Sequence, residues 1–168
     1  IDGNFTSPSL TLEKIHFTEV GLEATYDANQ IKLSKVVGNW ADGQFSGTGS
    51  LELDQTDKPW SSSVRLRAVN LERLAQILAI EKQKISGRLD LDWEGSGKGN
   101  QLKWIEGKGA LKIAGGQIVG LPFLGPIADL FSVPTLQTIV FQEAQGAFQV
   151  AEGKLSTNRL RVSGPQAT

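Results

Sequence analysis

The chain has 168 residues, enough to bury a core, and with 39% hydrophobic and 21% charged residues it has the composition of a globular protein rather than a disordered tail. Its 17 basic and 18 acidic residues leave a net charge of −1, so no cationic excess exists to neutralise phosphates and nucleic-acid binding is not expected. The absence of cysteine excludes disulfides, thiolate zinc sites and cysteine nucleophiles.

The chain opens without Met at Ile1-Asp2-Gly3, which reads as the interior of a longer protein. No signal peptide is written at the start, and no apolar run approaches the ~18 residues of a membrane span. The 19 glycines point to many tight turns and hence to many short strands. Asn4-Phe5-Thr6 fits the glycosylation acceptor pattern, a triplet frequent by chance. The single histidine, His16, lies on the polar side of the alternating run TLEKIHFTEV and reads as a surface residue, not a catalyst.

From Ile31 to Asp54 the texture is that of strands. IKLSKVVGNW and QFSGTGSLELD flank an Asp42-Gly43 pair that signals a hairpin. Leu51 and Leu53 point to one side and Ser50, Glu52 and Asp54 to the other. In SSVRLRAV, Val64, Leu66 and Ala68 share a face opposite Arg65 and Arg67. NLERLAQILAI breaks this rhythm: Leu71, Leu74, Ile77 and Leu78 have helical spacing, and Asn70 suits an N-cap. In ISGRLDLDWEG, Leu89, Leu91 and Trp93 oppose Arg88, Asp90, Asp92 and Glu94.

The acidic row has two readings, a divalent-cation site and a solvated outer face. The second is preferred, because no calcium-loop pattern encloses the row. EGSGKGNQ, residues 94–101, fails the phosphate-loop pattern, since Gly99 follows Lys98, and reads as a flexible hairpin turn. LPFLGPIADLFS, residues 121–132, predicts a short apolar helix over about 126–132 after the Gly125-Pro126 break. Beyond Pro134, Phe148 and Val150 alternate with Gln149, and Leu160 and Val162 with Arg159, Arg161 and Ser163. The two arginine pairs occupy the outer face.

Two phrases repeat one form: GKGALKIAGGQIV at 107–119 and GAFQVAEGKLS at 146–156. Each Gly-bounded phrase reads as one hairpin of an antiparallel meander, apolar on one face and wet on the other. The expected architecture is mainly β, a long curved antiparallel sheet with a groove-like face and two short helices, forming one module over residues 1–168. The apolar face either folds onto itself as a core or stays open to an apolar ligand; alternation alone does not distinguish these.

The stretch from about Ile85 to Gly164 resembles the C-terminal region of the AsmA-like family. The residues that carry the resemblance are Gly107, Gly109, Leu111, Ile113, Gly116, Ile118, Leu121 and Pro122, then Gly146, Phe148, Val150, Gly153 and Leu155. Residues 38–54, GNWADGQFSGTGSLELD, look like a further repeat of the same family. The resemblance implies a periplasmic β-groove protein whose parent is anchored in the bacterial inner membrane. It implies shielding of phospholipid acyl chains during transfer between inner and outer membranes. Partners would be phospholipid, a membrane reached through the parent protein or the apolar helix, and other envelope proteins. No catalytic residue, cofactor or metal accompanies the family, and no enzymatic activity is expected.

On this reading the groove is lined by Leu51, Leu53, Val64, Leu66, Leu89, Leu91, Trp93, Leu111, Ile113, Phe148, Val150, Leu160 and Val162. The helix carrying Pro126, Ile127, Leu130 and Phe131 would close the groove end, meet a membrane or dock a partner. The alternative is an assembly scaffold that pairs with partner proteins through its sheet edges. A carbohydrate-active enzyme would need two paired carboxylates, and no two are singled out.

Overall fold

The computed structural model describes residues 1–13, 15–77, 84–99, 101–119 and 138–164. Nine strands make one antiparallel sheet in sequence order: β1 (Asp2–Leu12), β2 (Ile15–Asp27), β3 (Gln30–Trp40), β4 (Gly43–Glu52), β5 (Pro59–Asn70), β6 (Lys84–Lys98), β7 (Glu106–Val119), β8 (Thr138–Ala151) and β9 (Lys154–Ser163). Each strand pairs with its sequence neighbours, so β1 and β9 are the edges. The meander expected from the alternation is therefore present.

Three connections are two-residue turns with both residues left-handed: Ala28-Asn29 at φ 44° and 64°, Ala41-Asp42 at 48° and 58°, and Glu152-Gly153 at 52° and 71°. This is the conformation whose twist matches that of the flanking strands. The expected Asp42-Gly43 turn is displaced by one residue, since Gly43 is already the first residue of β4, paired with Trp40. Position 43 needs a glycine for space and not for the turn: a Cβ there would lie 2.6 Å from the Val69 Cα and 2.7 Å from the Arg67 carbonyl oxygen.

One α-helix is present among the described residues, α1 (Leu71–Ile77), lying against β5 and β6. Its cap is the expected one: Asn70 Oδ1 accepts the backbone N–H of Glu72 at 3.0 Å. A single 3₁₀ turn spans Leu102–Trp104. The second expected helix, at about 126–132 with Pro126, Ile127, Leu130 and Phe131, lies outside the described residues.

Two expectations about turns are corrected. GKGALKIAGGQIV is not a hairpin but one continuous strand, β7. Gly115, at φ 58°, makes a bulge there and the chain does not reverse. EGSGKGNQ is not a loop through its length, because β6 runs on to Lys98. Gly95 and Gly97 stay in the sheet because aromatic rings lie over them. The Trp93 indole covers Gly95, and a Cβ on Gly97 would meet a Trp60 ring carbon at 2.6 Å.

Among the described residues, no second layer covers most of the apolar face of the sheet. Of the described residues, only Val20, Val69, Leu71, Phe141 and Ala144 are buried hydrophobics. Within the described residues the apolar face does not fold onto itself.

Candidate functional site

Residues directly opposite in an antiparallel pair share a face, so the register builds the site. One row crosses the sheet as Val64, Trp93, Gly109 and Phe148. A second runs Phe45, Leu66, Leu91, Leu111, Gly146 and Leu160. A third runs Val69, Leu89, Ile113, Ala144 and Val162. Val150 stands opposite Gly107 and Leu155, and Leu51 opposite Ile31 and Trp60. The expected lining residues are brought together on one face, with Leu53 placed apart: it follows the last residue of β4 and is exposed. Leu160 and Val162 sit on the edge strand, 65% and 52% exposed, because no tenth strand is described beside them.

Large rings fill the gaps that glycines leave. Trp93 and Phe148 stack with centroids 6.1 Å apart and an interplanar angle of 12°. Phe148 lies over Gly109, and Trp93 over Gly107. The Trp93 Nε1–H donates to Ser62 Oγ at 3.2 Å. Trp93→Ala uncovers two glycines and one ring face, and is expected to cost about 3 kcal/mol, seen as a lower urea midpoint with an unchanged slope.

Phe45 covers Gly38 on β3, but no ring lies over Gly47 or Gly49 on β4. Gly47 and Gly49 floor a trough of ≈ 360 Å³ whose apolar walls include Ile31, Leu33, Val36 and Val64, with Phe45 and Leu51 among its lining. Beside it Phe17 packs on Phe45 at 5.4 Å and on Trp40 at 6.2 Å.

Bulges decide which residues join this face. Ala68, expected beside Leu66, is exposed; it sits at φ 53° in a register shift, and Val69 takes the inward place with no exposed surface. The bulge is held by Asp90, whose Oδ1 accepts the Ala68 N–H at 2.7 Å. A similar irregularity at Gly87 and Gly115 precedes a switch in β8. Phe141 is 3% exposed and Val140 57% exposed, the reverse of the alternation counted from Ala144.

The opposite face is charged and paired across strands. Arg67 meets Asp92 at 2.6 Å, Lys112 meets Glu143 at 2.7 Å and Lys35 meets Glu23 at 3.3 Å. The Glu143 carboxylate beside it raises the Lys112 pKa above its ordinary value. The acidic row is divided among separate partners: Asp90 on Ala68, Asp92 on Arg67, and Glu94 near Lys108 at 3.9 Å. No group of three or more metal-ligating side chains gathers among the described residues. His16 is exposed, its Nδ1 3.0 Å from Thr11 Oγ1.

Residues not anticipated from the sequence are Phe17, Ile31, Leu33, Val36, Trp40, Phe45, Trp60, Val69 and Phe141. Alternation in IKL and QFS carried a signal for Ile31, Leu33 and Phe45; nothing local marked Val69 or Phe141, whose places depend on bulges.

No curated protein and no solved structure matches this chain. The model of the AsmA family matches residues 2–160, extending the likeness from the C-terminal half and residues 38–54 to nearly the whole sheet. The family is associated with proteins of the bacterial envelope. With strands β1 to β8 and most of β9 inside the match, the chain belongs to the AsmA family.

Proposed function

We propose that this chain is a non-enzymatic module that shields phospholipid acyl chains on its open apolar face, in the periplasm, for passage between the inner and outer membranes. The observation that carries the reading is the apolar face itself: nine strands present one apolar side, with a trough of ≈ 360 Å³ in it and no second layer among the described residues. Covering an acyl chain is favourable by about 0.8 kcal/mol for each methylene buried. The dimensions suit the task. A strand of 14 residues such as β7 spans about 46 Å at 3.3 Å per residue, longer than the ~15 Å depth of one leaflet's hydrocarbon. The charged opposite face keeps the sheet wet on its other side. Shielding needs no reacting group, cofactor or metal.

Native mass spectrometry of the purified chain, with solvent extraction in parallel, tests this. Co-purifying phospholipid at about one molecule per chain is the expected result. A lipid-free chain that also fails to take up added short-chain phospholipid would sink the reading.

A second reading, a scaffold that pairs through its edges, is favoured by β9, an edge among the described strands, where Leu155 is 73% exposed. Strand-to-strand crosslinks at β9 in a lipid-free chain would support it.

A further inference from the structure

Exposed apolar side chains gather at the two edges of the sheet. Phe5 on β1 is 47% exposed, and Leu155, Leu160 and Val162 on β9 are more so, whereas no strand from β3 to β7 carries a large exposed hydrophobic among the described residues. The edges also differ in charge. Strands β1 and β2 carry Asp2, Glu19, Glu23 and Asp27 and no Lys or Arg, while β9 carries Lys154, Arg159 and Arg161 and no carboxylate. We propose that the acidic edge β1 of one chain docks on the basic edge β9 of a second copy, so that copies join head to tail and their apolar faces run on as one. The inference rests on the edge-pairing reading above and names the partner.

Topology decides how the edges can meet. With nine strands antiparallel in sequence order, β1 and β9 run in the same direction. Two copies that keep their apolar faces on one side therefore join β9 to β1 as parallel strands. Joining β9 to β9, or β1 to β1, would be antiparallel, but either brings like charges together. Phe5 belongs to the apolar face, since it stands opposite Leu22, whose row continues through Val36 and Gly47 to Val64.

Backbone direction permits the parallel join. Ile1 and Tyr26 exchange N–H···O bonds of 2.8 Å both ways, and the register is unbroken from Asp2 to Ser7. Asp2, Asn4 and Thr6 thus turn their backbone groups away from β2, while the apolar-face residues turn theirs toward it. Strand β9 has the same direction and shows the same face, so Leu160 and Val162 turn their backbone groups the same way, which there is out of the sheet. A parallel ladder bonds each residue to the two that flank its opposite number: Leu160 to Asp2 and Asn4, and Val162 to Asn4 and Thr6. In that register Leu160 stands opposite Gly3, where nothing lies within 4 Å of a Cβ, Val162 opposite Phe5, and Arg159 opposite Asp2. Thr25 Oγ1 donates to Asp2 Oδ1 at 2.9 Å and holds that carboxylate in place. Pro8, the next outward residue, has no N–H and ends the ladder. A contact this short is a weak one, governed by concentration and by salt.

The chain has no cysteine, so two single variants of the whole chain, Phe5→Cys and Val162→Cys, read the contact directly. Both side chains are exposed on edge strands, and circular dichroism should find both variants folded. Opposite residues on paired strands have Cα atoms about 4.8 Å apart, within reach of a disulfide. Under mild oxidation a mixture of the two is expected to give a disulfide dimer joining one variant to the other, and neither variant alone to give one. High salt, or Arg159→Glu added to the Val162→Cys chain, is expected to lower the yield roughly tenfold. Asp2→Lys added to the Phe5→Cys chain should then restore the yield lost to Arg159→Glu. A dimer of Val162→Cys with itself would overturn the head-to-tail join and leave edge pairing standing. No dimer in any mixture would overturn a second copy as the partner, and a yield indifferent to Arg159→Glu would overturn the proposed register.

Discussion

Val64→Asp is expected to strip co-purified lipid from the chain without unfolding it. Val64 is half-buried on the open face, where it walls the trough opposite the Gly47 floor and stands beside Trp93 in register. A carboxylate there cannot keep its hydration while an acyl chain lies against it. If the chain gives up four methylenes of contact, about 3 kcal/mol is lost, on the order of a hundredfold in affinity. Native mass spectrometry and extraction read the lipid, and circular dichroism reads the fold. Arg65→Asp, one residue away on the charged face, is the control and should retain lipid. If both variants behaved alike, the effect would be one of charge in general, and the trough would lose its role.

Gly43→Val is expected to lower the stability of the chain sharply. The added Cβ would meet the Val69 Cα and N, each at 2.6 Å, and the Arg67 carbonyl oxygen at 2.7 Å. All three are backbone atoms, which cannot swing aside as a side chain can. They belong to the bulged stretch of β5 that α1 follows and Asp90 holds. Overpacking of this kind costs about 3 kcal/mol, which for a chain of this size lowers the melting temperature by roughly 10 °C. Gly3→Val is the comparison, because nothing lies within 4 Å of a Cβ there; its melting temperature should hardly move. A small loss at Gly43 would mean that the β5 bulge can relax.

How much of this was legible depends on where bulges fall. Leu89, Leu91 and Trp93 lie in an unbroken stretch of β6, so counting by twos placed them together correctly. The same count failed at Ala68, because a carboxylate two strand-residues past Arg88 holds its N–H and turns the chain by one position. No local pattern in SSVRLRAV announces a partner on another strand. Gly115 and Gly116 looked like a turn because Gly-Gly serves both turns and bulges. The difference is set by β8, which continues to pair on both sides of them. EGSGKGN looked like a loop because it is poor in side chains, yet the indoles of Trp93 and Trp60 supply the missing volume from neighbouring positions. The charged face was easier to read, since exposed strand positions need only be polar. The mutual register of the lining residues, which makes them one site, is a property of pairing and was not written in any single strand.

The strict neighbour-to-neighbour order of the sheet has a kinetic consequence. Each strand meets only the strands before and after it in the chain, so even the widest pairings, such as Gly107 with Val150, join neighbouring elements, and closure entropy grows only slowly with their separation. Folding can therefore begin at any of the tight Ala28-Asn29, Ala41-Asp42 or Glu152-Gly153 reversals and spread outward one strand at a time. A chain threaded through a narrow opening from either end would assemble as it emerges, without waiting for its other terminus.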